Sequence, residues 1–292
     1  MIRVLLCGFL VFSSCAAFSQ LPEDVLKFSW TNPSGTARQQ AIGGTGTALG
    51  GDLSSLFINP AGIGLYKTNE FLVTPGFGFL SSKSDFRGGL ESSKASGKLK
   101  LGTSGLVFGQ SSSGRWTSKA FAIGINRVAD FNSTQFYKGQ SDYSSFAEPL
   151  ANEFAGSRLS IDAALNSNAI SLLTKMALYT YLVDTATING STQVIARSEQ
   201  TSLLNQQNRI TSSGGVSEIS LGYAANMDDR LYLGLSLGIP LVNYRRELAW
   251  KEEDALGKGN NEFSYSIYNE TYTSKGAGLN AKLGILFKPA PQ

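Results

Sequence analysis

The stretch RLYLGLSLGIP, residues 230–240, places an aliphatic side chain at every second position. The aliphatic residues are Leu231, Leu233, Leu235, Leu237 and Ile239, and the residues between them are Tyr232, Gly234, Ser236 and Gly238. A period of two is the period of a β-strand, in which successive side chains point to opposite faces. The stretch is therefore predicted to be a strand with one aliphatic face and one face of small or polar residues.

The same alternation recurs along the chain, for example in AFAIGINR at 120–127, SEISLGYAA at 217–225 and GLNAKLGILFKP at 278–289. Short polar turns, SSSG at 111–114 and NMDD at 226–229, alternate with much longer polar links. Together these patterns predict antiparallel strands joined by turns of two very different lengths. The six predicted strands are 69–80, 97–110, 115–138, 205–226, 230–250 and 263–287.

Two all-β folds alternate in this way, a soluble sandwich and a membrane barrel. The second face of a sandwich meets water and usually carries Lys, Glu and Thr, whereas here it carries mostly Gly, Ser, Asn, Ala and Tyr. Some predicted strands reach about twenty residues, against about five or six in globular proteins, and a membrane strand needs only about 9–11 in the bilayer. We therefore predict an all-β fold, an antiparallel transmembrane β-barrel that occupies residues 69–292.

The longest link, 139–204, has helical patterns in SSFAEPLANEFAG and NAISLLTKMALYTYLV. The second pattern is too short to span a membrane and is interrupted by Lys175, so we expect a long extracellular loop with helices. Its apolar residues either form a landing site for a hydrophobic ligand or pack the loop helices together. The ligand-contact candidates in this loop are Phe146, Phe154, Leu173 and Met176.

The N-terminus predicts export. One cation, Arg3, precedes an apolar run, and Ala17-Phe18-Ser19 has small residues where signal peptidase reads, so 1–19 is predicted to be a signal peptide. The alternative is a lipoprotein signal with Cys15 as the lipidated residue. Both cysteines, Cys7 and Cys15, lie inside this segment. The mature chain would then have no thiol or disulfide.

Composition excludes several functions. The chain has no histidine, which removes the usual general base and the commonest metal ligand. We therefore predict no catalytic residues, no metal site, no cofactor and no enzymatic activity, and a serine lipase is disfavoured. The formal net charge of +3 gives no indication of nucleic-acid binding.

The stretch GGDLSSLFINPAGIGLYKTNEF, residues 50–71, is too rich in glycine for a helix and too apolar for a linker. We predict that residues 20–68 form a hatch, or plug, inside the barrel, where Asn59 would be extended before Pro60 and satisfy nearby backbone groups with its side chain. We expect Asn59, Pro60 and Ala61 near the strand at 115–138. The glycine spacing does not match a phosphate-binding loop.

Six strands are too few for a membrane barrel, which needs at least eight. The sequence is therefore expected to be the N-terminal portion of a longer barrel, and closure by oligomerisation is the alternative.

The segment ARQQAIGGTGTALGGDLSSLFINPAGIGLYKTNEF, with its NPA motif at Asn59, Pro60 and Ala61 followed by Gly62, resembles the hatch of the FadL/TodX outer-membrane transporters. The segments YTYLVD, RLYLGLSLGIP and GAGLNAKLGILFKP are similar to the Bacteroidetes-type version of this family. The resemblance implies a barrel of about fourteen strands that passes hydrophobic molecules, such as long-chain fatty acids or aromatic hydrocarbons, through a lateral opening in its wall.

The resemblance also implies residence in the outer membrane, contact with its lipid, and the barrel-assembly machinery as a partner during biogenesis. Tyr232, Glu218 and Lys282 point inward and either contact a ligand carboxylate or pair with the hatch. Some relatives are haemin receptors, which the lack of histidine disfavours, although tyrosine also ligates haem iron. The alternative function is a FadL-like outer-membrane protein that binds or assembles secreted cargo without transport.

Overall fold

The fold is described by a computed structural model that covers Leu26, Phe28, Ser29 and residues 35–93, 96–200, 202–257 and 262–289. The predicted signal peptide, residues 1–19, and the start of the predicted hatch lie outside the described residues. Within the described part of the chain, no helix has both the length and the apolar character needed to cross a membrane.

Most of the chain is antiparallel β-sheet. The strands are β1 Glu70–Leu72, β2 Pro75–Leu80, β3 Lys83–Phe86, β4 Gly89–Ser92, β5 Ser96–Leu101, β6 Ser104–Ser111, β7 Trp116–Asp130, β8 Ser133–Ser141, β9 Val183–Ile188, β10 Ser191–Ala196, β11 Leu204–Met227, β12 Leu231–Asp254, β13 Tyr265–Ala277 and β14 Asn280–Phe287. The helices are α1 Ala37–Ala41, α2 Gly46–Leu49, α3 Ser55–Ile58, α4 Glu148–Ser157, α5 Ile161–Asn166 and α6 Leu172–Tyr179, with 3₁₀ turns at Pro60–Leu65 and Arg197–Gln200.

Eight strands form the main sheet, and six of them follow the order β1-β6-β7-β11-β12-β13. The other two pair with half of a long strand: β8 pairs with residues 204–212 of β11, and β14 pairs with residues 231–238 of β12. Three two-stranded units, β2–β5, β3–β4 and β9–β10, form ladders of their own. The β3–β4 unit lies beside β8, where the Lys138 amine is 2.8 Å from the Glu91 carboxylate. In the described residues β1 pairs only with β6, and β13 and β14 pair only with β12. The sheet is therefore open at both edges, and no closed barrel is present in the described ranges.

Only two of the six predicted strands, 205–226 and 230–250, are continuous, as β11 and β12. Each of the other four is broken into two strands. At two of the breaks a backbone amide donates a hydrogen bond to a carbonyl of another segment of the chain. The Gly102 amide donates to the Thr74 carbonyl, and the Gly278 amide donates to the carbonyl of Pro240. Proline has no amide hydrogen to offer a sheet ladder, so the regular pairing of β12 with its neighbour changes at this position.

The main sheet has two different faces. On one, which we call the open face, the alternating aliphatic residues are solvent-accessible; Leu235 and Leu237 are 45% and 57% exposed. Among the described residues no second sheet covers this face, so the sandwich alternative does not apply to it. On the other, which we call the covered face, Ala120, Ala122 and Ala224 are buried beneath the N-terminal segment, residues 35–68.

The link at 139–204 is a small folded unit, which we call the loop unit. It contains α4, α5, α6 and the β9–β10 hairpin, as the helical patterns predict in part. Its buried core includes Leu150, Phe154, Ile170, Leu178 and Val183. The hairpin and this separate core were not predicted from the sequence.

Candidate functional site

The covered face is built from rows of small side chains that line up across neighbouring strands. One row contains only glycine and alanine, and runs over five strands: Gly109, Ala120, Ala224, Gly234 and Gly284. The missing side chains leave a trough that runs at right angles to the strands. The N-terminal segment lies in this trough.

The NPA motif forms a tight turn at one end of the trough. Asn59 is extended, with φ −139° and ψ 97°, and Pro60 begins a 3₁₀ turn. The Asn59 side-chain oxygen accepts from the Ala61 amide at 3.2 Å. The Asn59 side-chain nitrogen, Nδ2, donates to the backbone carbonyls of Thr47 and Ile285 at 2.9 Å and 3.2 Å. The turn geometry expected of Asn59 and Pro60 is confirmed, and one Asn59 bond ties the motif directly to β14.

Two glycines of the sheet make room for the motif. A Cβ atom at Gly234 would lie 2.3 Å from the carbonyl carbon of Pro60, and one at Gly284 would lie 2.2 Å from the side-chain oxygen of Asn59. Real Cβ atoms do not approach other atoms so closely. Gly234 and Gly284 are direct partners in the β12–β14 ladder. The motif therefore packs directly on this pair of glycines, Gly234 and Gly284, which we call the glycine floor.

The segment then continues along the trough toward β1. The Ser118 hydroxyl donates to the Gly64 carbonyl at 2.7 Å, and a Cβ at Gly109 would meet the backbone of Thr68 at 2.6 Å. The pKa of the Tyr66 hydroxyl is raised, mainly by burial and secondly by the negative charge of Glu70. The Tyr66 hydroxyl donates a hydrogen bond to that carboxylate. The expectation that the motif lies near 115–138 is wrong, because Asn59, Pro60 and Ala61 contact β12 and β14.

Two predicted contact residues lie on the covered face. Tyr232 is 1% exposed and packs with Ala61 and Leu286. Lys282 pairs with the Glu218 carboxylate, which also accepts a 2.8 Å hydrogen bond from Ser220. In this structure Tyr232 therefore contacts the N-terminal segment and Lys282 contacts the sheet. A role for either in ligand contact stays a prediction.

The four predicted contact residues of the loop unit do not converge on one pocket. Phe154 is 2% exposed in the loop core, and Leu173 packs against the same core. Phe146 stacks on Trp250 and Tyr268, with ring centroids 5.9 Å and 5.3 Å apart. Met176 is half exposed. The alternative that these residues pack the loop together describes Phe154 and Leu173 in this structure.

A buried carboxylate fastens the loop unit to the sheet. Glu252 of β12 is fully buried and accepts hydrogen bonds from the Ser145 hydroxyl at 2.9 Å, the Phe146 amide at 2.7 Å and the Gln206 side chain at 2.8 Å. In a low-dielectric site such charge-assisted bonds are strong, and losing them leaves buried donors unpaired. Glu252 therefore acts as the anchor of the loop unit.

Two other carboxylates of the loop unit have shifted pKa values. Hydrogen bonds from the Thr174 hydroxyl, then from the hydroxyl and amide of Ser171, lower the pKa of Glu153. This contact joins α4 to the start of α6. Burial, and then repulsion from Glu148, raises the pKa of Glu199. Across the described ranges no group of three acidic, cysteine or histidine residues is arranged to hold a metal ion.

The sheet also contains a gap. The pairing of β6 with β7 ends where Ser104 lies opposite Ile125. Beyond Ile125, toward Asp130, β7 has no ladder partner on this side within the described residues, and the preceding strands β2 and β5 pair with each other instead. Side chains span the resulting gap. Lys100 Nζ lies 2.6 Å from a carboxylate oxygen of Asp130, and Lys98 Nζ donates to the Asn132 side chain at 2.7 Å.

Two cavities of about 340 Å³ each open at this gap. One reaches Gly35, Ala37 and Gln40 of the N-terminal segment. The other is lined by Phe79 and Leu80 as well as by the bridging polar residues. The gap therefore links the N-terminal segment with apolar side chains of the hairpin.

Sequence reasoning did not identify the gap residues or the glycine floor. Two local signals mark the gap: Gly102, because glycine inside a strand often marks a break, and the change of phase from Leu99 and Leu101 to Leu106 and Phe108. The alternation in 230–240 and 278–289 places Gly234 and Gly284 on the small-residue face, but it does not show that they are paired, because pairing depends on register.

None of the family models, curated proteins or solved structures compared with the chain matches it.

Proposed function

We propose that this chain forms the wall and plug of an outer-membrane channel that admits hydrophobic small molecules, such as long-chain fatty acids or aromatic hydrocarbons, by passive uptake. The finer fold that this function requires is a transmembrane β-barrel with the N-terminal segment as its hatch. The observation that carries the proposal is the contrast between the two faces of the main sheet.

The open face has an apolar band of the height that a membrane needs. On β12 it runs from Leu231 to Leu241, ten steps along the strand, and the next outward residues, Asn243 and Arg245, are polar. At about 3.4 Å per residue this is about 34 Å of strand. A tilt of about 40° gives about 26 Å along the membrane normal, against about 25 Å in outer-membrane barrels.

The covered face suits the inside of a channel. Glycine and alanine leave space for the N-terminal segment, and the hydrogen bonds of Asn59 and Ser118 hold that segment against the wall. A water-filled pore disfavours apolar solutes by the hydrophobic effect. A pore blocked by a plug can instead offer such solutes an apolar surface.

The gap supports a sideways route. It joins the N-terminal segment to a hairpin with exposed Phe77 and Phe79, each more than 70% exposed. A hydrophobic solute that leaves through the gap passes into the bilayer without crossing water. This agrees with the lateral opening that the family resemblance implies. In this proposal the open face is in permanent contact with outer-membrane lipid. The barrel-assembly machinery is a transient partner while the chain inserts into the membrane.

Single-cysteine labelling tests the membrane orientation, since Cys7 and Cys15 both lie in the predicted signal peptide. In outer membranes, Leu235→Cys is expected to react with a charged maleimide only after denaturation. The matched control, Asn243→Cys, lies on the same face of the same strand and is expected to react in intact membranes. Equal labelling of the two in intact membranes would contradict the proposal.

Transport is tested by bridging the gap. In the cells that encode the chain, a Lys98→Cys/Asn132→Cys variant is treated with a bifunctional thiol reagent, and uptake of a radiolabelled fatty acid is measured. Uptake is expected to fall in the double variant and not in either single variant. Unchanged uptake after verified cross-linking would exclude the gap as the route.

A second candidate is an outer-membrane protein that binds or assembles secreted cargo. The observation in its favour is a set of exposed aromatic residues in and around the loop unit, Tyr143, Tyr179 and Tyr181, each at least 69% exposed. Co-purification of a secreted protein, lost on replacing these tyrosines with serine while fatty-acid uptake persists, would favour this function.

A further inference from the structure

Lys119 interrupts the apolar band. It lies opposite Gln110 of β6 and Ala225 of β11, and shares the open face with Phe121 and Ile123. Among the described strands, no other charged residue lies on this face between the rows of Leu233 and Ile239; Arg127 lies at the edge of the band, in the row of Leu241. No ion pair within the described ranges involves Lys119. The reason for a cation here is not found in the packing of the sheet.

The surface around Lys119 is concave. A hollow of about 490 Å³ is lined by Trp116, Lys119, Tyr223, Ala225, Leu233 and Leu235, among others. Ala225 is small and has Tyr223 two residues away and Leu233 opposite, so its position is the low point between larger neighbours. The hollow is open rather than enclosed, so it can cover one side of an elongated apolar chain.

The hollow lies at the end of the band where the short turns are. Ala225 is two residues from Met227, the last residue of β11, which is about 7 Å along a strand. A lysine stem can lie along apolar surface while its amine reaches the polar boundary. Trp and Tyr are the side chains that favour the same boundary. The hollow therefore has an apolar body that includes Tyr223, opposite Leu235, with the cation and Trp116 toward the membrane interface.

We propose that this hollow binds a glycerophospholipid, with an acyl chain over Ala225 and the phosphate at the Lys119 amine. The inference rests on the proposed function, because it requires the open face to contact lipid. The indole N–H of Trp116, which lies opposite Met227 at the end of β11, supplies a further hydrogen-bond donor to the headgroup. A soluble anion would match the amine alone, whereas a phospholipid matches both the amine and the apolar lining.

The test uses the full chain in mixed micelles with lipids that carry brominated acyl chains, which quench nearby tryptophan. Emission of Trp116 is taken as the difference between the chain and its Trp116→Phe variant. Brominated phosphatidylglycerol is compared with an uncharged glycolipid that has the same brominated chains. One lysine near a charged lipid surface predicts about a five-fold preference for phosphatidylglycerol.

In Lys119→Gln the two lipids are expected to quench equally. The control, Lys275→Gln, lies on the open face opposite Asn243 and away from the hollow, and is expected to keep the preference. A five-fold preference that survives Lys119→Gln, or no preference in the unmodified chain, would overturn the lipid site and leave the proposed function standing. If neither lipid quenches Trp116, the open face does not contact lipid and the proposed function fails as well.

Discussion

Gly234→Ala is expected to loosen the N-terminal segment from the sheet. The new methyl group would lie 2.3 Å from the Pro60 carbonyl carbon and 2.4 Å from the Ala61 nitrogen. Because carbon atoms normally touch at about 3.5–4.0 Å, the motif must move by more than about 1 Å. β12 cannot withdraw, since it is paired with β11 on one side and β14 on the other. Overpacking of this kind costs about 1–3 kcal/mol.

Amide hydrogen exchange measures this cost directly. In the motif, the Ala61 amide donates to the Asn59 side chain, and the Gly62 and Tyr66 amides donate to the carbonyls of Asn59 and Ile63. These amides exchange when the segment opens locally. A loss of about 1–3 kcal/mol predicts exchange about 5- to 150-fold faster in a peptide covering the motif.

The matched control is Gly276→Ala. Gly276 also lies in the sheet, on β13, but a Cβ there has nothing within 4 Å. Exchange in the motif is expected to be unchanged in this variant. Equal exchange in Gly234→Ala, in Gly276→Ala and in the unmodified chain would refute the glycine floor as the element that holds the motif.

Three further outcomes are expected. Glu252→Ala leaves buried donors of the loop unit unpaired, at a cost of about 1–3 kcal/mol, so limited proteolysis of the loop unit should accelerate strongly, whereas exposed Glu247→Ala should not change it. Hydrogen bonds from the Thr174 hydroxyl and from Ser171 hold the pKa of Glu153 below its ordinary 4.5. The α4–α6 contact therefore contributes its full stability to the loop unit above pH 4.5, and this stability is lost as pH falls through the folded-state pKa. Proteolysis of the loop unit measured from pH 6 to pH 3 should show this loosening, and Glu153→Gln should remove this pH dependence. Purified residues 20–292 in liposomes should take up fatty acid no faster than empty liposomes, since unpaired strand edges cost several kcal/mol per group in hydrocarbon; saturable uptake would show that the chain closes by another route.

Much of the antiparallel sheet could be read from periodicity. The alternation at 231–239 assigns each side chain to a face, because that choice depends only on position along one strand, and the exposures of Leu235 and buried Tyr232 agree with it. The turn at Asn59 and Pro60 was also predictable, because proline restricts its own φ and the residue before it. These are local properties, in which the cause and the consequence lie within a few residues.

The breaks in the predicted strands were not predictable in the same way. The alternating pattern continues across Gly278, so periodicity gives no sign that the ladder changes partner there. At Gly102 the pattern changes phase, from Leu99 and Leu101 to Leu106 and Phe108, but this change does not specify the new partner strand. Phe154 and Met176 both lie in helices of the loop unit, yet Phe154 is buried and Met176 is half exposed. Burial in the loop unit depends on how helices and a hairpin pack, and the sequence pattern does not specify that packing.

The sequence by itself determined which residues are small and which face of a strand they occupy. Only the tertiary structure decided that Gly234 and Gly284 are cross-strand partners, that their row runs on to Gly109, and that the NPA motif lies on that row. The physical reason is register: sliding one strand by two residues keeps every side chain on its face but changes every neighbour across the sheet. The trough, the gap beside Asp130 and the surroundings of Lys119 all arise from that choice of neighbours.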